Sequence, residues 1–246
     1  MISKKYSIIS VGCNCEKYVR PWFRSISKQT IKDFECFIAL DPSSDNTVNM
    51  VYRFIKGDNR FKVISNSEKE NYGALKNRYL CTKHVKNPES IVMHLDLDDS
   101  FYTKNSIKIV ADTYSKYNCW LTYGSYASNV GGCWNKEIPK EVWTNNSHRK
   151  NAWSTSSLRT FKKWLWDKID PKDFLMPDGT WIKRGTDLAF MFPMLEMAGQ
   201  KRVRFIKNIL YYYNVYGQQN KNLLKHENLS VKHTRGKTFY KRIEKK

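Results

Sequence analysis

The sequence predicts an α/β fold, a single domain with a mainly parallel sheet flanked by helices. Three observations predict it. Short apolar runs rich in β-branched and aromatic residues alternate with longer segments whose apolar residues recur at helical spacing. The run from Ile91 to Leu95 carries Ile91, Val92, Met93 and Leu95 with almost no alternation, the habit of a parallel strand buried on both faces. Three carboxylates, Asp96, Asp98 and Asp99, follow that run at once, at the strand end where open α/β sheets place their ligands.

Tyr6–Gly12 reads as the first strand, and Glu16–Gln29 as a helix through Tyr18, Val19, Trp22, Phe23 and Ile26, with Pro21 tolerated near its start. Phe34–Leu40 is the second strand. Asp45–Ile55 opens with an Asp suited to capping and places Val48, Val51, Tyr52 and Ile55 on one helical face. Phe61–Ile64 is a third strand, Tyr72–His84 a helix and Ile91–Leu95 the fourth strand, so the first half is a βαβαβαβ series with right-handed crossovers. Beyond the carboxylates the spacing predicts a helix over Thr103–Tyr117, a strand over Cys119–Ala127, a turn at Gly131-Gly132 and a mobile polar loop over Asn135–Trp153. Two further helices are expected over Ser157–Ile169 and Thr186–Ala198, the second kinked or shortened by Pro193, and then a strand over Ile209–Tyr216.

The 246 residues carry 43 Lys and Arg against 23 Asp and Glu, a formal charge of +20. Such a surface favours an anionic partner, although charge alone does not choose among nucleotide, nucleic acid, phospholipid and charged glycan. From Lys201 to Lys246 there are 13 Lys or Arg against 2 Glu, which suits an acidic acceptor or peripheral contact with an anionic membrane carrying a lipid-linked one. No apolar stretch approaches the roughly 20 residues of a membrane span and no convincing signal peptide opens the chain, so the expected location is cytoplasmic. The six cysteines (13, 15, 36, 81, 119 and 133) form no CxxC pair, so they are expected to be reduced residues of the core and not zinc ligands.

The carboxylates can be read chemically before any likeness is invoked. Hard oxygen ligands suit Mg²⁺ or Mn²⁺, typically held by one or two carboxylates together with substrate phosphates. Asp98 is the expected direct ligand, Asp96 would face the metal's water shell, and Asp99 would be either a second ligand or a helix cap. The bland alternative is a solvated acidic turn capping the helix from Thr103. An EF-hand is disfavoured because no glycine stands at its sixth position and no glutamate at its twelfth.

In order and spacing these pieces resemble one family, the nucleotide-sugar glycosyltransferases of the GT-A fold and in particular family 2. The segment SVGCNCEKYVRPWFRSISKQTIKDFECFIALDPSSDNT carries the likeness in Asn14, Ser25-Ile26, Gln29-Thr30, Asp41, Asp45 and Thr47. It departs at Leu40, where a second Asp is usual, and at Gly12-Cys13. Asn71–Leu80 (NYGALKNRYL) resembles a further family segment, and HLDLDDSF its D-x-D metal motif, so Asp96 would alternatively face the donor's ribose, while Lys76 and Arg78, just before the fourth strand, could meet its diphosphate or stand as solvated charges. The resemblance implies a nucleotide-sugar-binding half over residues 1–125, an acceptor-binding and catalytic-base half over 126–220, and a basic tail over 221–246.

It further implies that Asp41 hydrogen-bonds the nucleobase and that Val11 to Asn14 line the same pocket, although Asp41 would equally satisfy turn chemistry in DPSSD. The family's catalytic base, at the start of a helix in the second half, falls on Asp187, with Glu196 and Asp178 as lesser candidates; the alternative for Asp187 is a carboxylate that merely complements a helix dipole. His226 and His233 stand where some members add a metal-binding histidine, but neither has a motif around it. The implied activity is metal-dependent, inverting transfer of one sugar from a nucleotide-diphosphate donor, UDP-sugar by default, to a glycan, lipid-linked or protein hydroxyl. The aromatic segments Trp164-Leu165-Trp166, Trp181 and Tyr211-Tyr212-Tyr213 would pack the core or stack on an acceptor glycan. A sugar-phosphate nucleotidyltransferase, which would release pyrophosphate, and a nucleic-acid-binding basic protein are the competing readings, although no nucleic-acid motif is present.

Overall fold

A computed structural model describes residues 5–66, 69–134, 136–215 and 224–244. The elements run β1 (Tyr6–Gly12), α1 (Glu16–Ser27), β2 (Phe34–Leu40), α2 (Thr47–Ile55), β3 (Phe61–Asn66), α3 (Gly73–His84), β4 (Ile91–His94) and β5 (Ser100–Phe101). They continue with α4 (Ser106–Tyr117), β6 (Leu121–Ser128), β7 (Cys133–Trp134), α5 (Lys140–Thr144), β8 (Ser156–Lys162), α6 (Lys163–Trp166), a 3₁₀ turn (Pro171–Phe174), α7 (Thr186–Arg202), β9 (Val203–Tyr213) and α8 (Leu224–Gly236). These strands form one sheet in the order β3-β2-β1-β4-β8-β6-β9-β5, with β7 paired to β6.

The first four strands pair in parallel, as the alternating series requires. β8 then enters antiparallel between β4 and β6, and β9 runs parallel to β6. Side-chain alternation along the buried strands feeds two cores, one on each face of the sheet. Ile9, Val11, Phe37, Ala39 and Val92 pack toward α3 and α7. Tyr6, Ile8, Cys36, Ile38, Leu40, Ile91 and Met93 pack toward α1, α2 and α4. β1 therefore lies between strands whose crossovers leave on opposite faces, which opens a crevice at its carboxyl end. Gly12 closes that end tightly: a Cβ there would stand 2.7 Å from the Cβ of Leu97.

Three segments depart from the sequence reading. Leu158, Phe161 and Leu165 fit a helical period, yet Ser157–Ile169 is not one helix: Ser156–Lys162 is the strand β8, followed by the single turn α6. A central slot between β4 and β6 demands a strand, and tertiary pairing overrides the helical pattern. Pro193 neither ends nor shortens α7, which continues to Arg202 and breaks only at Gly199, where φ is +63°. The stretch expected as a mobile loop contains α5 and buries Trp143, His148 and Arg149. Tyr216, at the end of the expected last strand, lies outside the described residues.

Candidate active site

The carboxyl end of β4 carries the carboxylates. Asp96, Asp98 and Asp99 bring ligand oxygens within 4.8 Å of one another. Burial, then the charge of Asp96, pushes the Asp98 carboxyl up from 3.8 to about 7. Burial, then Asp98 and Asp96, raises Asp99 as well. A cluster of hard oxygens that must otherwise hold protons at neutral pH is a fitting seat for a divalent cation. Asp99 also accepts hydrogen bonds from the Tyr211 hydroxyl (2.5 Å) and the Asn214 backbone (2.7 Å), so it ties the cluster to β9 rather than capping α4.

Asp96 is held on its other side by Arg78 of α3, whose Nη2 lies 2.8 and 2.6 Å from the two carboxylate oxygens. The same guanidinium donates through Nη1 to Thr186 Oγ1 at 3.1 Å, at the first residue of α7. Arg78 therefore spans from the acidic cluster to the helix that bears Asp187. Gly185, at φ +59°, turns the chain into that helix, and a side chain there would strike Val231 of α8 at 2.9 Å. Asp187 follows in the first turn, and Arg159 of β8 donates to its Oδ2 at 2.7 Å.

Between Asp96 and Asp187 lies a cavity of about 640 Å³. Its lining includes Arg78, Asp99, Arg159, Lys183 and Arg184, with Tyr126, Trp153, Tyr211 and Tyr213 as aromatic walls. His94, the last residue of β4, also lines it. This imidazole is 6 % exposed, and neither ring nitrogen has a hydrogen-bond partner. Burial, then the charges of Arg78 and Arg159, holds its pKa well below 6.5, so it is neutral.

The other candidates from the sequence are spread around this cavity and beyond it. Asp41, just beyond β2, accepts from the backbone N–H groups of Tyr72 (2.8 Å) and Gly73 (3.0 Å) and so closes the start of α3. Asn14, at φ +50°, accepts from the Ser44 backbone at 2.7 Å and bridges the loops after β1 and β2. Val11 is buried, its carbonyl accepting from Leu97 N–H at 3.0 Å. Lys76 reaches Glu70 at 3.4 Å and lies 3.6 Å from the Tyr72 ring centroid. Glu196 is fully buried against Arg149, with Nε to Oε1 at 2.6 Å, and its Oε2 accepts from Tyr240 N–H at 3.0 Å. That carboxylate straps the segment around Tyr240 to α7. Asp178 accepts from Thr180 in an exposed turn. His233 meets the Leu175 carbonyl at 3.0 Å. The side chain of His226 lies outside the described residues.

Sequence reasoning missed His94 and Arg159. A histidine interrupting the apolar run IVMHL was a usable signal for the first. Arg159 was concealed by the helical reading of its strand. Of the aromatic segments, Leu165 and Trp166 are core, Trp181 packs on Tyr79 and Phe174, and Tyr211 and Tyr213 reach the cavity.

Residues 7–188 match the family described as glycosyl transferase family 2. The chain is 23% identical over 220 residues to the putative glycosyltransferase EpsH of Bacillus subtilis (strain 168), covering 85% of this chain and 60% of that protein. Among solved structures, S. aureus TarS 1-349 in complex with UDP-GlcNAc superposes with a TM-score of 0.64 at 18% identity, over 95% of this chain and 61% of that one. The mannosyltransferase PcManGT from Pyrobaculum calidifontis, in complex with GDP-Man and Mn²⁺, superposes with a TM-score of 0.56 at 14% identity, over 85% and 56%. At these identities the structures establish the shared GT-A fold. The chain spans about 60% of the length of the relatives it matches first.

Proposed function

The chain belongs to glycosyl transferase family 2, and from that membership we propose that it is a metal-dependent inverting glycosyltransferase. It would move one sugar from a nucleoside-diphosphate donor to an acceptor hydroxyl. The observation that carries this reading is the cavity flanked by the carboxylate triad on one side and Asp187 on the other. Asp98, with Asp96 and Asp99 beside it, would hold Mn²⁺ or Mg²⁺. When bound, such a cation neutralises the charge that develops on the departing diphosphate.

The chain's own residues supply the rest. Asp187 takes the proton of the acceptor hydroxyl as it attacks the sugar from the face opposite the diphosphate, which inverts the anomeric centre. Arg159 fixes the orientation of that carboxylate. Arg78 sets the distance between the two ends of the reaction by holding Asp96 and Thr186 together. Val11, Asn14 and Asp41 bound the nucleoside side of the crevice, with Lys76 at its edge. Asp41 keeps lone pairs for a nucleobase while it closes α3. UDP is the expected nucleotide, and TarS was solved with UDP as well as UDP-GlcNAc. The acceptor is a glycan, lipid-linked or protein hydroxyl reaching the Tyr126 and Trp153 side of the cavity. Among the described residues no helix is long and apolar enough to cross a membrane. The basic surface is the part of the chain suited to an anionic membrane.

A thermal-shift panel of UDP, GDP, dTDP and CMP, with and without Mn²⁺, tests the reading on the wild type and on Asp98→Asn. At ~100 times its dissociation constant the correct ligand adds about 2.7 kcal/mol to stability. Stabilisation by one nucleoside diphosphate that needs metal and vanishes in the variant is expected. A uniform absence of response would overturn the donor site.

A further inference from the structure

Five Lys and Arg side chains line the cavity, and two of them are already paired, Arg78 with Asp96 and Arg159 with Asp187. Lys183 packs beside Gly73, where a Cβ would stand 3.8 Å from its Cγ, at the start of α3 that Asp41 closes. It therefore belongs to the nucleoside side. Arg184 follows it at the turn into α7. Arg235 comes from a different element, α8.

Val231 and Arg235 are four residues apart on α8, so they share one face of it, and both line the cavity. Val231 rests against the Gly185 turn that leads into Asp187. The Arg235 guanidinium lies 5.4 Å from the centroid of Phe192, and Phe192 meets Trp153 nearly at right angles with centroids 5.4 Å apart. Trp153 in turn lies 6.0 Å from the guanidinium of Arg159, the partner of Asp187. These contacts put Arg235 on the Asp187 side of the cavity, where the acceptor hydroxyl must lie.

The bonds of Arg235 explain a donor but not a charge. Its Nη1 donates to the carbonyls of Arg149 and Asn151 at 2.6 and 2.9 Å, and an uncharged amide would serve them as well. Among the described residues no carboxylate pairs with it, and Nε and Nη2 make no hydrogen bond on a side chain that is only partly buried. A second guanidinium lies over the same ring, that of Arg149 at 5.4 Å, and Glu196 already matches its charge. A cation held beside a like charge without a counter-ion is unfavourable for folding, whereas an anion that arrives with the substrate answers it. The Nε and Nη2 edge is the one with which Arg149 grips Glu196, and its two parallel donors fit the paired oxygens of a phosphate or a carboxylate.

We propose that Arg235 forms an acceptor subsite for an anionic group, phosphate or carboxylate, carried close to the hydroxyl that receives the sugar. The acceptor is thereby an acidic one, and this assignment rests on the glycosyltransferase reading above. The Nε and Nη2 edge takes the anion, while Nη1 keeps α8 on the loop before β8.

The test fills the donor site first. Protein saturated with Mn²⁺ and the nucleoside diphosphate that stabilises it, UDP by expectation, is titrated by NMR with glycerol 3-phosphate against glycerol and with glucuronate against glucose. Each pair offers hydroxyls with and without an anion, so the pair that shows a preference names the anionic group. Wild type should bind at least one anionic member about 10-fold more tightly than its neutral counterpart, the lower end of what a charge-assisted hydrogen bond supplies. Arg235→Gln keeps a donor for the carbonyls and should lose most of that preference. Arg235→Lys should keep part of it, and UDP affinity should stay at the wild-type value in both.

A wild type that binds UDP but shows no preference in either pair would overturn the inference and leave the donor site standing, and no variant's folding enters that comparison. A preference that survives in folded Arg235→Gln would also overturn it, by moving the anion to Lys183 or Arg184. A fall in UDP affinity in Arg235→Gln would assign Arg235 to the donor diphosphate and overturn it as well. Failure of the wild type to bind any nucleoside diphosphate would instead overturn the donor-site reading and the inference with it.

Discussion

Replacing Asp98 with Asn should stabilise the metal-free protein at pH 8, by an amount that shrinks as the pH falls to 5. Burial and the charge of Asp96 bring the Asp98 carboxyl from 3.8 to about 7. A carboxyl whose folded value lies above its unfolded value favours folding fully only below pH 3.8. That contribution is lost as pH rises to about 7 and is gone above it. Between pH 5 and 7 the wild type crosses about two units of this window, at ~1.4 kcal/mol per unit. Solvent at the partly exposed carboxylate reduces the full value, so the expected loss over this range is about 1–2 kcal/mol. The amide of Asp98→Asn does not titrate and escapes it. Urea unfolding in EDTA, followed by tryptophan fluorescence from pH 5 to 8, should show the gap between variant and wild type widening with pH and levelling off above about 7. Saturating Mn²⁺ should close the gap by stabilising the wild type alone, with ~2.7 kcal/mol expected at 100 times the dissociation constant. A gap independent of pH, or a variant less stable at pH 8, would refute the view that burial and the charge of Asp96 hold the Asp98 carboxyl above its ordinary range.

The same raised carboxyl predicts that Mn²⁺ affinity rises as pH passes through about 7, because protons and metal compete for Asp98; isothermal titration at pH 6 and pH 8 checks it. Arg78→Met removes the cation that lowers Asp98 and should move that transition to higher pH, while costing about 1–3 kcal/mol by leaving Asp96 uncompensated. Asp187→Asn should lower turnover by about 10²- to 10⁴-fold, the usual worth of a general base, while the nucleotide thermal shift in Mn²⁺ stays at the wild-type value. Glu196→Gln breaks an ion pair whose side chains are 2 % and 0 % exposed, so urea unfolding should register a loss of about 3–5 kcal/mol, with the residual folded enzyme keeping its Michaelis constant for donor.

The parallel half of the fold was legible because it is local. Each strand from β1 to β4 is a short run rich in apolar residues, each crossover has helical period, and the order alone dictates the topology. The carboxylates were legible for the same reason, as charge placed where the run IVMHL ends. β8 was illegible because its strand identity comes from the slot between β4 and β6, and Leu158, Phe161 and Leu165 also satisfy a helix. That one misreading hid Arg159, since a cation on an amphipathic helix reads as solvent-facing. Asp99 shows a different limit. Its carboxylate is recognisable from sequence as a possible ligand, but its bonds to Tyr211 and Asn214 join residues more than a hundred positions apart.

The site is assembled at the junction between the parallel and antiparallel parts of the sheet, and its charges show why both parts are needed. Asp96 comes from the end of β4 and is paired by Arg78 of α3, both within the parallel half. Asp187 comes from α7 and is paired by Arg159 of β8, both beyond it. Each half thus neutralises its own candidate carboxylate. The sheet joins the halves through β4 and β8, and the bond from Arg78 to Thr186 links the two ion pairs across the cavity, at the first turn of the helix that carries Asp187. A substitution that loosened this single bond, such as Thr186→Val, would leave both ion pairs intact while freeing the distance between them. Turnover should then fall while metal and nucleotide affinities stay unchanged, because the alignment of acceptor and donor is sensitive to displacements near ~1 Å. Parallel losses in nucleotide affinity would show instead that Thr186 supports the donor side directly, and that the two ion pairs are not registered through Arg78.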